Sequence, residues 1–359
     1  MITLILVIVF VSLLILAHEW GHFYSARRLG VRVDEFGFGF PPRLFSRVKK
    51  GIRYSFNLFP FGGFVKIFGE HGEGEGETQS FITRPLWQRG VILGAGVFMN
   101  VVLAWVMFSM GAALGTPVIA DEEGARAPVS IIGVAPDSPA AAAGLRFGDE
   151  IIELTAPGAI PEMTLRVETE EDVKQFMDAY RGEEVGIALK RKGEIREVRL
   201  VPRAYPPEGE GPLGIGMARI VLARSPWYWA PVEGGRRTGA AIAATATGLV
   251  SIVSRLIMDG GRGLEVSGPV GIYFFAEDSR SLGVSYFLQF IGMLSVNLAV
   301  LNVLPIPALD GGRLFFLALE RIRHVRVDPR RESIIHAAGF AVLILLMLLV
   351  TYKDIAGVL

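Results

Sequence analysis

The pattern His18-Glu19-Trp20-Gly21-His22 combines side chains that can bind a metal ion and use it for catalysis. Residues four apart share a face of a helix, so the two imidazoles can bind one ion. Zn²⁺ accepts neutral imidazole nitrogen, and a catalytic zinc site usually has three protein ligands and a water molecule. Glu19 is placed to take a proton from that water. The pattern therefore predicts a hydrolytic metal site.

The residues around this pattern are apolar. Residues Ile2–Ala17 contain no polar side chains except those of Thr3 and Ser12, so the site would begin inside a membrane. The alternative is a chance pair of solvated surface histidines, which would be inert. Ionisable groups within a membrane span are costly and usually functional, and this favours metal binding.

The composition restricts the third ligand. The chain has 359 residues, of which 51% are hydrophobic, and a net charge of zero, so nothing indicates a soluble enzyme or a nucleic-acid partner. It has no cysteine, which excludes disulfides, thiolate ligands and a cysteine nucleophile. Outside the pattern the histidines are His71, His324 and His336, which we expect in polar loops or at a helix start. The third ligand is therefore expected to be a carboxylate.

Four segments are long and apolar enough to cross a bilayer. They are 2–29, 90–116, 284–304 and 333–352. The first is interpreted as a retained membrane helix and not as a signal peptide, because it lacks a basic start and a small-x-small cleavage site.

Loop charges predict the orientation of these spans, since Lys and Arg accumulate on the cytoplasmic side. Residues 27–89 hold 11 Lys/Arg and 6 Asp/Glu, whereas residues 117–283 hold 18 Lys/Arg and 24 Asp/Glu. The loop between the last two spans is also basic. Both short loops are therefore expected in the cytoplasm, and the long insert and both termini outside.

This orientation brings a carboxylate to the depth of the two histidines. The first and third spans run in the same direction, and Asp310 follows the third span within Asn302–Gly312. Two prolines break the helix there, and Gly311 and Gly312 allow close backbone approach. Broken helix at membrane depth is tolerated where it lines a cavity or is buried in protein. Asp310 is thus the expected third ligand, although it could instead, or also, cap the following helix.

An aromatic segment follows the first span. After Phe36-Gly37-Phe38-Gly39-Phe40, an alternating run over 52–58 predicts a strand that turns at 59–63 and returns over 64–68. Such a hairpin would dip into the edge of the bilayer. Its edge could pair with an unwound substrate, or the hairpin could simply pack on the spans.

The insert begins with a small α+β domain. Alternating strands, a short helix ended by Gly144 and a helix over 169–181 are predicted, and Leu213-Gly214-Ile215 could leave backbone N–H groups free to bind a peptide or carboxylate. Asp149 is expected to fix a turn. Residues 226–258 are expected to form a helix on the outer membrane surface, with a fifth span as the alternative.

Together these motifs resemble the site-2 protease family, specifically the RseP-like bacterial intramembrane metalloproteases. The resemblance rests on H-E-x-x-H in a first span, N-x-x-P-x-P-x-L-D-G at 302–311, a PDZ-like pattern at 138–151 and Ser267-Gly268-Pro269-Val270-Gly271 before the third span. It implies a polytopic α-helical membrane protein with about four spans, a membrane-associated β-hairpin and an extracytoplasmic α+β PDZ domain. Four regions of the chain are expected. Residues 1–116 hold the first two spans, with the hairpin and loop at 30–89, and residues 117–218 form the PDZ domain. Residues 219–283 form an amphipathic segment on the membrane surface, and residues 284–359 hold the last two spans with the L-D-G motif.

The resemblance also implies roles for individual residues. It implies zinc bound by His18, His22 and Asp310, with Glu19 as the general base. Contacts with substrate are implied for a further set of residues, namely Asn297, Asn302, Gly37, Phe38, Gly39, Phe56 and Leu58. The PDZ domain would bind peptides at Leu213, Gly214 and Ile215.

Its implied activity is hydrolysis of peptide bonds inside the membrane segments of single-span proteins, such as anti-sigma factors and remnant signal peptides. The expected place is the bacterial cytoplasmic (inner) membrane, with lipid as a partner and the active site toward the cytoplasm. An upstream site-1 protease is a possible partner, although a single PDZ domain, where the best-known member has two, leaves that requirement open.

Two other functions are compatible with parts of the sequence. A catalytically silent PDZ scaffold in the membrane would not require Glu19 and Asp310 in addition to both histidines. A metal transporter could use a midplane site in broken helices but would be expected to contain an internal repeat, and none is evident.

Overall fold

The computed structural model describes residues 2–70, 72–120, 127–156, 158, 163–191, 193–207, 209–258, 260 and 268–358. Ser267, part of one predicted motif, lies outside these residues. The chain forms two compact units, and each is described by itself. Unit 1 comprises Met1–Gly111, Pro226–Glu277 and Leu288–Leu359, and unit 2 comprises Ala112–Ser225 and Asp278–Phe287.

Long apolar helices dominate the chain. In the described residues five helices are long and apolar enough to cross a membrane, namely α1, α2, α5, α7 and α9. The helices are α1 (Ile2–Arg28), α2 (Leu86–Leu114), α3 (Pro139–Ala142), α4 (Glu170–Ala179), α5 (Ala230–Met258), α6 (Pro269–Leu282), α7 (Val284–Val303), α8 (Asp310–Arg323) and α9 (Pro329–Val358). The four predicted spans correspond to α1, α2, α7 and α9, and α5 is the segment for which a surface position was expected.

Helix α1 buries one face against its neighbours. The buried positions are Thr3, Ser12, Leu14, His18, Gly21, His22, Phe23 and Ala26. A β-carbon on Gly21 would come within 2.2 Å of the Ala95 carbonyl oxygen on α2, so the two backbones touch there. Small residues permit this kind of close helix contact in membranes. The approach brings both histidines against α2.

The segment after α1 forms a two-stranded sheet of long, folded strands. The strands are β1 (Val33–Lys49) and β2 (Ile52–Ile67). Phe36, in the first half of β1, pairs with Val65 on one side and Tyr54 on the other, whereas Arg47, in the second half, also pairs with Tyr54. The order across the sheet is therefore 63–67, 33–38, 53–57 and 43–49.

This register corrects the predicted hairpin. Residues 52–58 and 64–68 were expected to pair with each other, but residues 33–38 lie between them. The alternating Phe/Gly sequence at 36–40 is itself a strand and fills that position. A period of two identifies a strand but not its partner, and this is why the sequence did not give the pairing.

Unit 2 is built on a seven-stranded sheet. The strand order in this sheet is β3-β9-β4-β5-β7-β8, and β6 is an additional strand that pairs with β5. The strands are β3 (Thr116–Ile119), β4 (Val129–Val134), β5 (Glu150–Ala156), β6 (Met163–Arg166), β7 (Val185–Arg191), β8 (Glu194–Leu200) and β9 (Ile215–Ala223). Strand β9 continues past residue 218, because its last residues pair with β3.

The core of unit 2 lies between this sheet and α4. Val173, Phe176 and Met177 on α4 are buried in one cluster with Ile131 and Leu189 of the strands. The helix begins with a capping box, in which the Thr169 hydroxyl accepts from the Asp172 N–H and the Asp172 carboxylate accepts from the Thr169 N–H. The predicted turn role of Asp149 is confirmed, since its carboxylate accepts from the Arg146 N–H and pairs with Arg191.

Candidate metal centre

Helix α1 places two imidazoles side by side. His18 and His22 are 7% and 5% exposed, and their Nε2 atoms lie 3.1 Å apart. They lie one turn apart on the buried face of a mostly apolar helix, as the sequence predicted.

Asp310, at the start of α8, lies far from the two histidines in the sequence but next to both in the structure. Its Oδ2 atom lies 2.9 Å from His18 Nε2 and 3.3 Å from His22 Nε2. It is the first residue of α8 and not its cap, because the N-cap position belongs to Leu309. The capping alternative for Asp310 is therefore wrong, since a residue at the first helical position no longer occupies the half-turn outside the helix.

The turn before α8 requires glycines after Asp310. A β-carbon on Gly311 would come within 2.1 Å of the Leu304 carbonyl oxygen, and one on Gly312 within 2.5 Å of the Ile306 carbonyl oxygen. The chain therefore folds back tightly between the end of α7 and the start of α8. This fold-back carries Asp310 to the histidines.

The three ligand atoms have the spacing of a tetrahedral metal site. With bonds of about 2.0–2.1 Å, ligand atoms of a tetrahedral zinc lie about 3.3 Å apart, and the three observed separations are 2.9, 3.1 and 3.3 Å. Asp310 Oδ2 is buried and makes no hydrogen bond of suitable geometry. Three electron-rich atoms thus face one point, and this donor set fits Zn²⁺.

Space at this point is maintained by Gly96 on α2. A β-carbon on residue 96 would come within 2.3 Å of His22 Nε2 and 2.7 Å of His18 Cε1. Any larger residue would therefore displace one or both imidazoles.

Each imidazole has a partner at its other nitrogen. His22 Nδ1 lies 2.8 Å from the Ile92 carbonyl oxygen, and His18 Nδ1 lies 3.2 Å from the Asn100 amide nitrogen. A carbonyl partner requires a proton on His22 Nδ1, which leaves Nε2 free to bind metal. Rotation of the Asn100 amide would place Oδ1, which has no hydrogen-bond partner, opposite His18 Nδ1 and give that ring the same tautomer.

Asn100 was missed by the sequence analysis. It is fully buried in the middle of α2, where nearly all neighbouring residues are apolar. A lone amide in a membrane helix is itself a functional signal, and could have been recognised as one.

Glu19 lies beside the centre and is held by the edge of the β1–β2 sheet. The Val65 N–H donates to Glu19 Oε2 over 3.0 Å. Val65 belongs to the stretch 63–67, which, among the residues that the structure describes, has a paired strand on one side only. The general base predicted from the sequence is thus attached to the edge strand of the sheet, on which α1 packs at Gly63.

The residues expected to contact substrate occupy different places in this sheet. Gly37 and Phe38 lie in its middle and have paired strands on both sides, so their backbones are not available to an added strand. Gly37 leaves room for the Phe64 ring, which a β-carbon would approach to 2.3 Å. Gly39 has φ of 77°, and Phe56 stacks between Phe38 and Phe45.

Exposed aromatic and aliphatic side chains mark the end of the sheet at which both strands fold back. Leu58 is 48% exposed and Phe40 is 53% exposed. On the opposite side, Ser12 of α1 donates to the Pro60 carbonyl oxygen over 2.6 Å. The fold-back of β2 therefore reaches well beyond Glu19 toward the start of α1.

The two asparagines on α7 have different surroundings. Asn297 accepts a hydrogen bond from Thr245 of α5 over 2.8 Å, and Asn302 is 8% exposed next to the fold-back before Asp310. Of these two asparagines, Asn297 is therefore the one bonded to α5.

In unit 2, Leu213-Gly214-Ile215 lies at the start of β9 beside a groove. Gly214 has φ of 70°, and its carbonyl oxygen accepts from the Ala135 N–H. The groove has a volume of about 360 Å³ and is lined by Leu213, Ile215 and Met217 on one side and by α4 on the other. The predicted peptide-binding residues thus border a cleft between a strand and a helix.

One histidine lies elsewhere than expected. His336 was predicted in a polar loop or at a helix start, but it lies inside α9, two turns from its beginning. The prediction failed because α9 begins at Pro329, several residues before the apolar run. It contacts the turn that precedes Asp310 and the Phe316 ring of α8.

Comparison with known proteins gives one family. The sequence model of peptidase family M50 matches residues 6–346 of the chain. The chain is 30% identical to the zinc metalloprotease RasP of Shouchella clausii and 29% identical to that of Oceanobacillus iheyensis, in both cases over 99% of each chain.

Proposed function

The chain belongs to peptidase family M50 and is a zinc metalloendopeptidase of the membrane, and we propose that it hydrolyses peptide bonds inside the membrane segments of single-span proteins. The convergence of His18, His22 and Asp310 on one point beside long apolar helices carries this proposal.

The proposed zinc ligands are His18 Nε2, His22 Nε2 and Asp310 Oδ2. When bound, zinc would supply a nucleophile at neutral pH, because it lowers the pKa of a bound water molecule to about 7. The Glu19 carboxylate, held by the Val65 N–H, would act as the general base, accepting a proton from the attacking water and giving it to the leaving nitrogen. Asn100 and the Ile92 carbonyl oxygen keep both imidazoles oriented.

Substrate is proposed to bind as an added strand. A helical membrane segment hides its carbonyl groups in internal hydrogen bonds and must unwind before cleavage. Pairing with the edge strand at 63–67 would replace part of the lost bonds. This edge holds Glu19, so a paired strand would pass beside the metal centre.

Gly37, Phe38, Gly39 and Phe56 then support this edge from within the sheet, and the exposed Leu58 contacts lipid or substrate. Asn302 and Asn297 are proposed to contact substrate carbonyl groups. For Asn297 this would require exchange of its bond with Thr245.

We propose four membrane spans, formed by α1, α2, α7 and α9. The Ser285 hydroxyl donates to the Gly115 carbonyl oxygen, so the end of α2 and the start of α7 lie on the same side. An even number of crossings must therefore separate them. If α5 crossed, a second crossing would be required, and α6, with 14 residues, is about 21 Å long against a core of about 30 Å.

The charges of the loops orient these spans in a bacterial cytoplasmic membrane. Both termini and unit 2 would then be extracytoplasmic, and the metal centre would lie toward the cytoplasm. Unit 2 is proposed to act as a PDZ domain that binds extended peptide at Leu213, Gly214 and Ile215. The proposed substrates are of the type of anti-sigma factors and remnant signal peptides.

The test compares the native chain with Glu19→Gln on a panel of tagged single-span substrates in membranes, with bound zinc measured in both. Cleavage by the native chain alone, with zinc retained by the variant, is expected. Replacement of the base is expected to slow cleavage by about 10²- to 10⁴-fold. Absence of zinc from both proteins after metal addition would contradict the proposal.

A further inference from the structure

The turn that delivers Asp310 contains a residue in an unfavourable backbone conformation. Ala308, two residues before Asp310, has φ of 81°. Residues with a β-carbon rarely adopt positive φ, because the β-carbon crowds the backbone. Such a conformation persists where surrounding contacts enforce it, and these positions cluster at functional sites.

Helix α9 supplies the contacts that enforce it. The Ala308 N–H donates to His336 Nδ1 over 2.9 Å. One turn further along α9, Gly339 packs directly on Pro307, since a β-carbon there would come within 2.4 Å of Pro307 Cβ. The turn is thus held at two successive residues by two positions of one helix.

The same imidazole also touches α8. A β-carbon on Gly312 would lie 3.3 Å from His336 Cε1, and the rings of His336 and Phe316 have centroids 5.8 Å apart. His336 therefore contacts the chain on both sides of Asp310. A histidine inside a membrane helix is costly, and packing alone would be served as well by an apolar ring.

We propose that His336 is a positioning residue, which fixes Ala308 in its strained conformation through Nδ1 and thereby sets the Asp310 carboxylate against His18 and His22. This inference rests on the proposed zinc site. His336 is not one of the proposed ligands, and it acts through the turn.

Two substitutions separate hydrogen bonding from packing. His336→Phe keeps a ring against Phe316 and removes the acceptor. His336→Asn loses the ring but keeps an acceptor, Oδ1, separated from the backbone by the same number of bonds as Nδ1. If the role of His336 is packing, His336→Phe should bind zinc more tightly than His336→Asn. If its role is positioning, His336→Asn should bind zinc more tightly than His336→Phe.

The experiment titrates zinc into the metal-free full-length variants and measures affinity, together with kcat and KM on a cleaved substrate. For His336→Phe we expect zinc affinity to fall by about tenfold or more, as for other supports of metal ligands. We also expect kcat of His336→Phe to fall with little change in KM. His336→Asn should keep most of the native zinc affinity and most of the native kcat. Equal affinities of His336→Phe and the native chain would overturn the inference, as would a larger loss in His336→Asn.

A second pair of variants tests the strain directly. Glycine adopts positive φ readily, so Ala308→Gly should restore most of the affinity lost by His336→Phe. Gly339→Ala, which pushes on Pro307, should lower zinc affinity, whereas Gly248→Ala on α5, where a β-carbon meets nothing within 4 Å, should not. If His336→Phe does not fold, the comparison of Gly339→Ala with Gly248→Ala decides. Equal zinc affinities of these two variants would overturn the inference.

Asp310→Ala separates this inference from the proposed site. If it leaves zinc affinity unchanged, the proposed ligand set is wrong. If it abolishes binding while His336→Phe binds as the native chain does, the ligand set holds and the role of His336 is wrong.

Discussion

Gly96 and His22 lie so close that a β-carbon on residue 96 would come within 2.3 Å of His22 Nε2. The glycine thus keeps open the space that the proposed zinc ligands face. Because it lies on α2 and the histidine on α1, the packing of two membrane helices determines the shape of the centre.

Gly96→Ala is expected to abolish zinc-dependent cleavage without unfolding the protein. The added methyl must displace an imidazole, and misplacement of catalytic groups by 1 Å can cost about 100-fold in rate. Alanine is otherwise a better helix former than glycine. Cleavage rate, bound zinc and thermal stability are the measurements.

Gly94→Ala on the same helix is the matched control, because a β-carbon there meets nothing within 4 Å. It should cleave substrate at the native rate. Equal activity of the two alanine variants would show that the space beside His22 is not needed.

Asn100→Leu is expected to weaken zinc binding while the fold is kept. The amide is the partner of His18 Nδ1, and loss of such a partner typically costs 10–100-fold in metal affinity. Asn100→Asp still offers an oxygen to that ring nitrogen and should bind zinc more tightly than the leucine variant. Titration of metal-free protein would measure both, and native affinity in Asn100→Leu would remove Asn100 from the site.

The sequence was sufficient for the central part of the site. His18 and His22 follow from helical spacing, and Asp310 was brought to their depth by loop charges alone. Both inferences use information that lies locally along the chain or in its charge distribution. The long helices were predicted for the same reason, since each contains a continuous apolar run, but α2 and α9 begin four residues before the predicted starts.

The parts that were not predicted depend on contacts between distant segments. The alternation of Phe and Gly at 36–40 indicates a strand, but only the folded chain shows that it separates residues 53–57 from 63–67. The bond from Ala308 to His336 joins positions 28 residues apart across a turn, and positive φ at an alanine has no sequence signal. Asn100 differs, because its isolation among apolar residues was visible.

Val65→Pro is expected to reduce catalysis while zinc binding is kept. Proline lacks the N–H that holds Glu19, and it is tolerated at a strand edge because that N–H does not pair within the sheet. The general base would then lose its anchor, and kcat should fall. Val65→Ala keeps the N–H and serves as the control. Native kcat in the proline variant would mean that Glu19 does not depend on the sheet.

Asp172→Ala is expected to destabilise α4, which forms one wall of the groove in unit 2, by about 1 kcal/mol, the usual cost of a lost cap. Partial burial raises the pKa of Asp172, but the N–H groups of Glu168 and Thr169 outweigh it and hold the pKa below its ordinary value of 3.8. A carboxyl group with a lowered pKa stabilises the fold above its unfolded pKa, and this contribution disappears as the pH falls through the folded pKa.

The difference between the native chain and Asp172→Ala should therefore be full at pH 7 and shrink below about pH 4. Hydrogen exchange of the α4 amides in the intact protein, corrected for the intrinsic rate at each pH, measures it. Lys174→Ala, an exposed change on the same helix that leaves the cap intact, should show no such pH dependence. Equal protection of α4 in the native chain and in Asp172→Ala at pH 7 would show that the capping box does not stabilise this wall of the groove.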